Sequence, residues 1–257
     1  MSLLLLKLVL APTLVAGAGL AGRRFGPRVG GWLIGFPVVA GPVLWFYARE
    51  QGNAFAAGAA AGTLLGVVSL CGFLVAYALG SRRLGWLPSL VLGYGVFAAL
   101  TAALLHTPGL ADVSWPLGLL AAFVALSATI GVLRRLPARS QAPRLRRDLL
   151  LRVLATALLV FTLTGLAGLL GPALSGLVTP FPVATTILVV FAHREAGPGG
   201  VLAVYAGYIP SLYSFAAFCA ALSFALGRWP LPGAFGFALL VSLLSQTLVL
   251  KLGTRRA

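Results

Sequence analysis

Several stretches of 18 or more residues contain no Lys, Arg, Asp or Glu. Such stretches are what a helix needs to cross about 30 Å of hydrocarbon. Strands of a membrane barrel would alternate polar and apolar residues, and these runs do not. With 60% hydrophobic and 9% charged residues among 257, the chain carries too much apolar surface for a water-soluble domain. A net charge of +15 would suggest nucleic acid in a soluble protein. Here the basic residues gather in short loops between apolar runs, without interleaved aromatics, so no nucleic-acid partner is expected. Cys71 and Cys219 both fall inside apolar runs and read as small buried residues.

Punctuation by Pro, Gly and charge divides the chain into nine apolar runs, at about 3–22, 30–48, 54–79, 86–105, 115–133, 149–170, 176–192, 199–225 and 231–251. The first resembles a signal peptide, but no positive charge precedes it, and Leu4-Leu5-Leu6-Lys7 aligns with Leu149-Leu150-Leu151-Arg152. It is therefore expected to be retained. Placing the N-terminus outside leaves only Lys7, Arg49 and Arg228 on the outer face and 16 of the 19 Lys and Arg inside. The expected location is the bacterial inner membrane, with the C-terminus in the cytoplasm.

An internal duplication sharpens this reading. Gly26 to Gly52 recurs at Gly171 to Gly197, offset by 145, with coincidences that include Phe36/Phe181, Pro37/Pro182, Arg49/Arg194 and Glu50/Glu195. Five runs separate equivalent positions, so the second copy is expected to enter the membrane from the opposite side. The predicted fold is an all-α integral membrane protein with nine transmembrane helices, arranged as two inverted four-helix repeats joined by one linker helix. Its parts are a first repeat at 1–110, an inverting linker at 111–134, an Arg-rich cytoplasmic loop at 135–148 and a second repeat at 149–257. The loop is expected to face anionic lipid head groups; recruitment of a partner protein is the alternative.

Pro37 and Pro182 sit within runs two and seven, where each removes a helix hydrogen bond. In a bilayer the freed carbonyls must face protein or water. Transporters built from repeated units bind substrate at such interruptions; a plain packing kink is the competing reading. The candidate pathway comprises Phe36, Pro37, Phe181, Pro182, Thr185, Thr186, Tyr208, Tyr213 and Gln246. Two stripes of small residues, Gly58, Gly62 and Gly66 in run three and Ala203, Gly207 and Ser211 in run eight, suit close helix packing in lipid, including packing of one stripe on the other.

Lys7 with Glu50 and Arg152 with Glu195 share a spacing of 43 residues at the ends of runs. They read either as helix-end ion pairs in the head-group region or as gates over a shared pathway. No metal-ligand spacing or cofactor motif occurs, and His106 and His193 stand apart. The runs hold no nucleophile with a base and no carboxylate pair, so no enzymatic activity is expected.

Gly176-Leu177, Phe181-Pro182 and Glu195 resemble the GlpM-like family of small bacterial inner-membrane proteins over roughly 110 residues from Arg152 onward, and the first copy matches it more weakly. The resemblance implies half-size relatives that pair antiparallel; it carries no substrate and no catalytic residue. The function expected is a permease or channel for a small solute. The alternative is a structural or assembly component of the cell envelope without transport activity.

Overall fold

The computed structural model describes residues 13, 24, 37, 40–109, 114–136, 154, 158, 169 and 171–254. All regular structure among them is helical: α1 Ala40–Glu50, α2 Asn53–Gly80, α3 Trp86–His106, α4 Trp115–Leu133, α5 at 171–178, α6 Val183–Leu226 and α7 Leu231–Thr254. Only a helix or a closed barrel satisfies every backbone group without water.

Burial separates a core from a rim. α2 is apolar all round and largely enclosed, with Leu64, Val67, Phe73 and Leu74 fully buried. α3 buries only a narrow stripe, Ser89, Gly93, Phe97 and Thr101, spaced four residues apart. α4 does the same with Gly118, Ala122, Leu126, Thr129 and Leu133. The rest of these helices is apolar and outward: Val91 is 65% exposed, Leu117 and Leu120 are each 61%, and Leu244 on α7 is 61%. A surface of this kind needs an apolar solvent. With helices apolar on their buried and outward faces alike, and the outward ones carrying large aliphatic side chains, the protein is membrane-embedded.

The contacts also define two ends of the bundle. Gly118 faces Ala61 and Leu64, and the α2 end at Tyr77 lies near His193, so α4 and residues 183–193 rise alongside α2. The chain then reverses at Ala196 (φ −134°, ψ 15°) and Gly197 (φ 59°, ψ −152°). The second conformation is open to glycine and strained for any residue with a Cβ. After Pro198, α6 runs back against α4: Tyr213 meets Phe123 and Ser127, and Phe224 meets Trp115. α7 returns again, tied by Ser242 Oγ donating to the Ser214 carbonyl at 3.1 Å. Arg82, Arg83, Arg134, Arg135, Arg194 and Lys251 thus share one end, and Arg49 and Arg228 the other.

Nine transmembrane helices do not form. Among the described residues five helices are long and apolar enough to cross a membrane: Asn53–Gly80, Trp86–His106, Trp115–Leu133, Leu188–Leu226 and Leu231–Val249. Of the run at 30–48, residues 30–36, 38 and 39 lie outside the described residues, Pro37 is in a turn, and the described helix α1 has 11 residues, which rise about 16 Å. The run at 176–192 is broken between Thr179 and Pro182 and joined beyond the break to the run at 199–225 within α6. Hydropathy counts apolar residues, whereas continuity depends on backbone donors that Pro180 and Pro182 lack. The arrangement of two inverted four-helix repeats about a linker falls with the nine-span count. The runs at 3–22 and 149–170 lie almost wholly outside the described residues.

The repeat itself acquires a different meaning. The second copy packs on α2 and α3: Gly58, Gly62 and Gly66 face Pro172, Ala173, Gly176, Leu177 and Pro180. The end of the first copy, α1, reaches α6 and α7 instead, where Trp45 meets Phe235 edge-on with ring centres 4.9 Å apart and Gly41 faces Phe218. Each copy therefore packs on the helix pair that follows the other.

Candidate functional site

The break between α5 and α6 lies at the level of Gly66, about halfway along α2. Pro180 and Pro182 cannot donate to the carbonyls of Gly176 and Val178, four residues before them. The chain answers with tighter bonds. Thr179 N donates to Gly176 O at 3.0 Å, and Phe181 N donates to Val178 O at 2.9 Å. α6 restarts when Thr186 N donates to Pro182 O at 2.7 Å. Close approach of the break to α2 requires glycine, because a side chain at Gly66 would meet the Leu177 carbonyl and the Pro180 ring.

Aromatic rings close over the break from α3. Phe181 stacks on Tyr94 with centroids 5.1 Å apart and planes 6° from parallel, and it meets Phe97 edge-on at 5.4 Å. Tyr94 also bonds Thr186 Oγ1 through its hydroxyl at 2.8 Å, and its ring leans on Phe73. One tyrosine thus holds both sides of the break.

Beneath these rings lies a group of buried polar atoms. Thr179 Oγ1 donates to the Ser175 carbonyl at 2.6 Å. Tyr47 of α1, fully buried, brings its hydroxyl close enough to the Ser175 and Thr179 side chains for a weak interaction, yet neither that hydroxyl nor Ser175 Oγ makes a well-formed hydrogen bond among the described residues. Thr185 and Tyr208 lie next to one another, both buried. The Tyr205 hydroxyl and both amide atoms of Gln246 are likewise buried and unpartnered among the described residues. Each such atom costs about 1–3 kcal/mol relative to a bonded one, and more in hydrocarbon. Tyr205 belongs to the arginine-rich end of the bundle and Gln246 to α7, whereas Tyr47 and Ser175 stand together beside the break and mark a place built to meet something polar.

Of the residues singled out from the sequence, Phe181, Pro182, Thr185, Thr186 and Tyr208 converge at the break. Pro37 is buried, and its carbonyl accepts Gly41 N at 2.9 Å at the foot of α1. Phe36, Lys7 and Arg152 lie outside the described residues. Tyr213 turns away from the break to α4, where its hydroxyl lies 2.9 Å from Ser127 Oγ. Gln246 sits on α7, behind α6. Glu50 and Glu195 are at opposite ends of the bundle, Glu195 beside Arg194, whose guanidinium stands over the Trp86 ring. Gly207 and Ser211 are buried and Ala203 partly so, with Ser211 Oγ donating to the Tyr208 carbonyl. The neighbours of the Gly58 stripe, however, are residues 172–180 and not this second stripe.

Sequence reasoning passed over Tyr47 and Tyr94, the two side chains that approach the break from α1 and α3. It also passed over Tyr77, whose hydroxyl lies 3.2 Å from His193 Nδ1. The available signal was a solitary tyrosine in an apolar run, since a buried phenol needs a partner. No family model, no curated protein and no solved structure matches the chain.

Proposed function

We propose that this protein is a permease or channel for a small polar solute in the bacterial inner membrane, with a path that passes the break at Thr179–Pro182 between the two copies of the repeated stretch. The observation that carries the reading is the pair of buried hydroxyls, Tyr47 and Ser175, that make no well-formed hydrogen bond among the described residues and stand beside an interrupted helix at mid-depth. A structural anchor gains nothing from leaving such groups unbonded, whereas a solute with its own donors and acceptors would complete them. The Phe181–Tyr94 stack closes the path in this conformation.

Neutral hydroxyls and an amide, in place of charged side chains, suit an uncharged or weakly charged solute. At the ends of the described helices six basic residues at the Arg134 end against two at the Arg49 end support a cytoplasmic Arg134 end and a cytoplasmic C-terminus. Kinship with the GlpM-like family belongs to the same reading and rests on Gly176-Leu177, Phe181-Pro182 and Glu195.

The test is uptake of a panel of small polar solutes into proteoliposomes, with solute-dependent protection from heat as a second readout. Selective flux that falls on Ser175→Ala supports the proposal. Neither flux nor protection across the panel would return the protein to the envelope-component reading.

A further inference from the structure

A cavity of about 410 Å³ lies open between the C-terminal end of α4 and the start of the second half of α6, at the arginine-rich end of the bundle. Its volume is in the range of small-molecule sites, about 300–1,000 Å³. Ile130, Leu133, Leu202 and Ile209 make its walls apolar, and Arg134 stands exposed at its rim. Two further features are polar. Tyr205 lines the cavity, is 1% exposed and has a hydroxyl without a partner among the described residues. Pro210 also lines it and cannot donate to the Ala206 carbonyl, so that acceptor, on an exposed residue of the same wall, lacks its helical donor.

We infer that this cavity is a binding site for an anionic phospholipid of the surrounding bilayer, with an acyl chain along the α4–α6 walls and the phosphate at Arg134. An arginine fork matches phosphate oxygens in a way that a point charge does not. The apolar walls add affinity only for a ligand that carries a hydrocarbon chain, which separates a lipid from free phosphate. The Ala206 carbonyl suits a head-group hydroxyl, such as those of glycerol. α4 faces lipid on its outer side, as Leu117, Leu120 and Val124 show, so the ligand reaches the site from the bilayer plane.

The experiment uses the full-length protein in detergent micelles holding equal amounts of phosphatidylglycerol and phosphatidylcholine, with retained lipid counted by native mass spectrometry. Phosphatidylglycerol should be retained roughly fivefold over phosphatidylcholine, the ratio one interfacial arginine contributes. Arg134→Gln should erase the preference and Arg134→Lys restore part of it. Ala206→Leu, which fills the cavity from an exposed position, should remove retained lipid of both kinds. Both positions are exposed, and an unchanged melting temperature verifies that the variants fold. Equal retention of the two lipids by the parent protein would overturn the inference. So would a preference indifferent to Arg134→Gln and Ala206→Leu, or full displacement of lipid by glycerol phosphate in solution.

Discussion

Tyr94 on α3 stacks on Phe181 in the break and bonds Thr186 on the far side of it, so a single residue fastens two segments that the backbone leaves separate. Tyr94→Phe keeps the ring and removes the bond. Thermal unfolding in detergent should show a loss of about 0.5–1.5 kcal/mol, and leak of solute through proteoliposomes should increase. Phe181→Ala removes the ring itself and should increase the leak further. Equal loss of stability with no change in leak from either variant would make the stack a packing contact and not a closure.

The contact between α2 and α5 depends on glycines at both faces. A side chain at Gly176 would run into the Ala59 carbonyl, and one at Gly62 would stand 2.9 Å from the Ala173 carbonyl. Gly176→Leu should therefore destabilise the protein by about 1–3 kcal/mol or more, since both obstacles are backbone and cannot rotate away. Gly95→Ala and Gly131→Ala are the controls. Nothing lies within 4 Å of a Cβ at either position, and helical preference for Ala should raise stability by about 0.5–1 kcal/mol. Melting temperatures of the three variants decide the matter.

α2, α3, α4 and α7 were legible in the sequence to within a few residues, because each is an uncharged run stopped by Arg, Pro or Gly. The two copies of the repeated stretch were not. Pro37, Pro180 and Pro182 announce interruption, but nothing in the apolar pattern says whether a proline bends a helix or ends it, and here the chain is broken from Thr179 to Pro182. Packing partners were hidden for a related reason: a four-residue glycine stripe signals a close neighbour without naming it. The candidate site was half legible. Thr185, Thr186 and Phe181 stand out as unusual in their run, whereas Tyr47 and Tyr94 look like ordinary core, and Tyr213 reads with Tyr208 as a polar residue of one run although its hydroxyl meets α4.

Gln246 offers a separation of structural from functional polarity. Its side chain is 2% exposed, and both amide atoms are unpartnered among the described residues. Gln246→Leu removes two unsatisfied groups at similar volume, so stability should stay level or rise by about 1 kcal/mol. If the amide serves solute, the same variant should lose flux or raise the apparent KM. Lower stability with normal flux would show that the amide has a partner in the folded protein and no role with solute.

Glu50 and Glu195, equivalent in the repeat, stand at opposite ends of the bundle, so any gating role must be divided between the two faces of the membrane. Ser175, buried beside the break between those ends, is a reporter for both. In a background with Cys71 and Cys219 replaced by Ala, Ser175→Cys can be labelled by an impermeant thiol reagent added to either face. Glu50→Gln should alter labelling only from the Arg49 end, and Glu195→Gln only from the Arg134 end. An exposed ion pair contributes about 1 kcal/mol at most, which shifts an open-to-closed ratio about fivefold and is readily seen in labelling rate. Unchanged labelling from both faces, with equal loss of expression in the two variants, would make these carboxylates helix-end contacts and remove gating from the account.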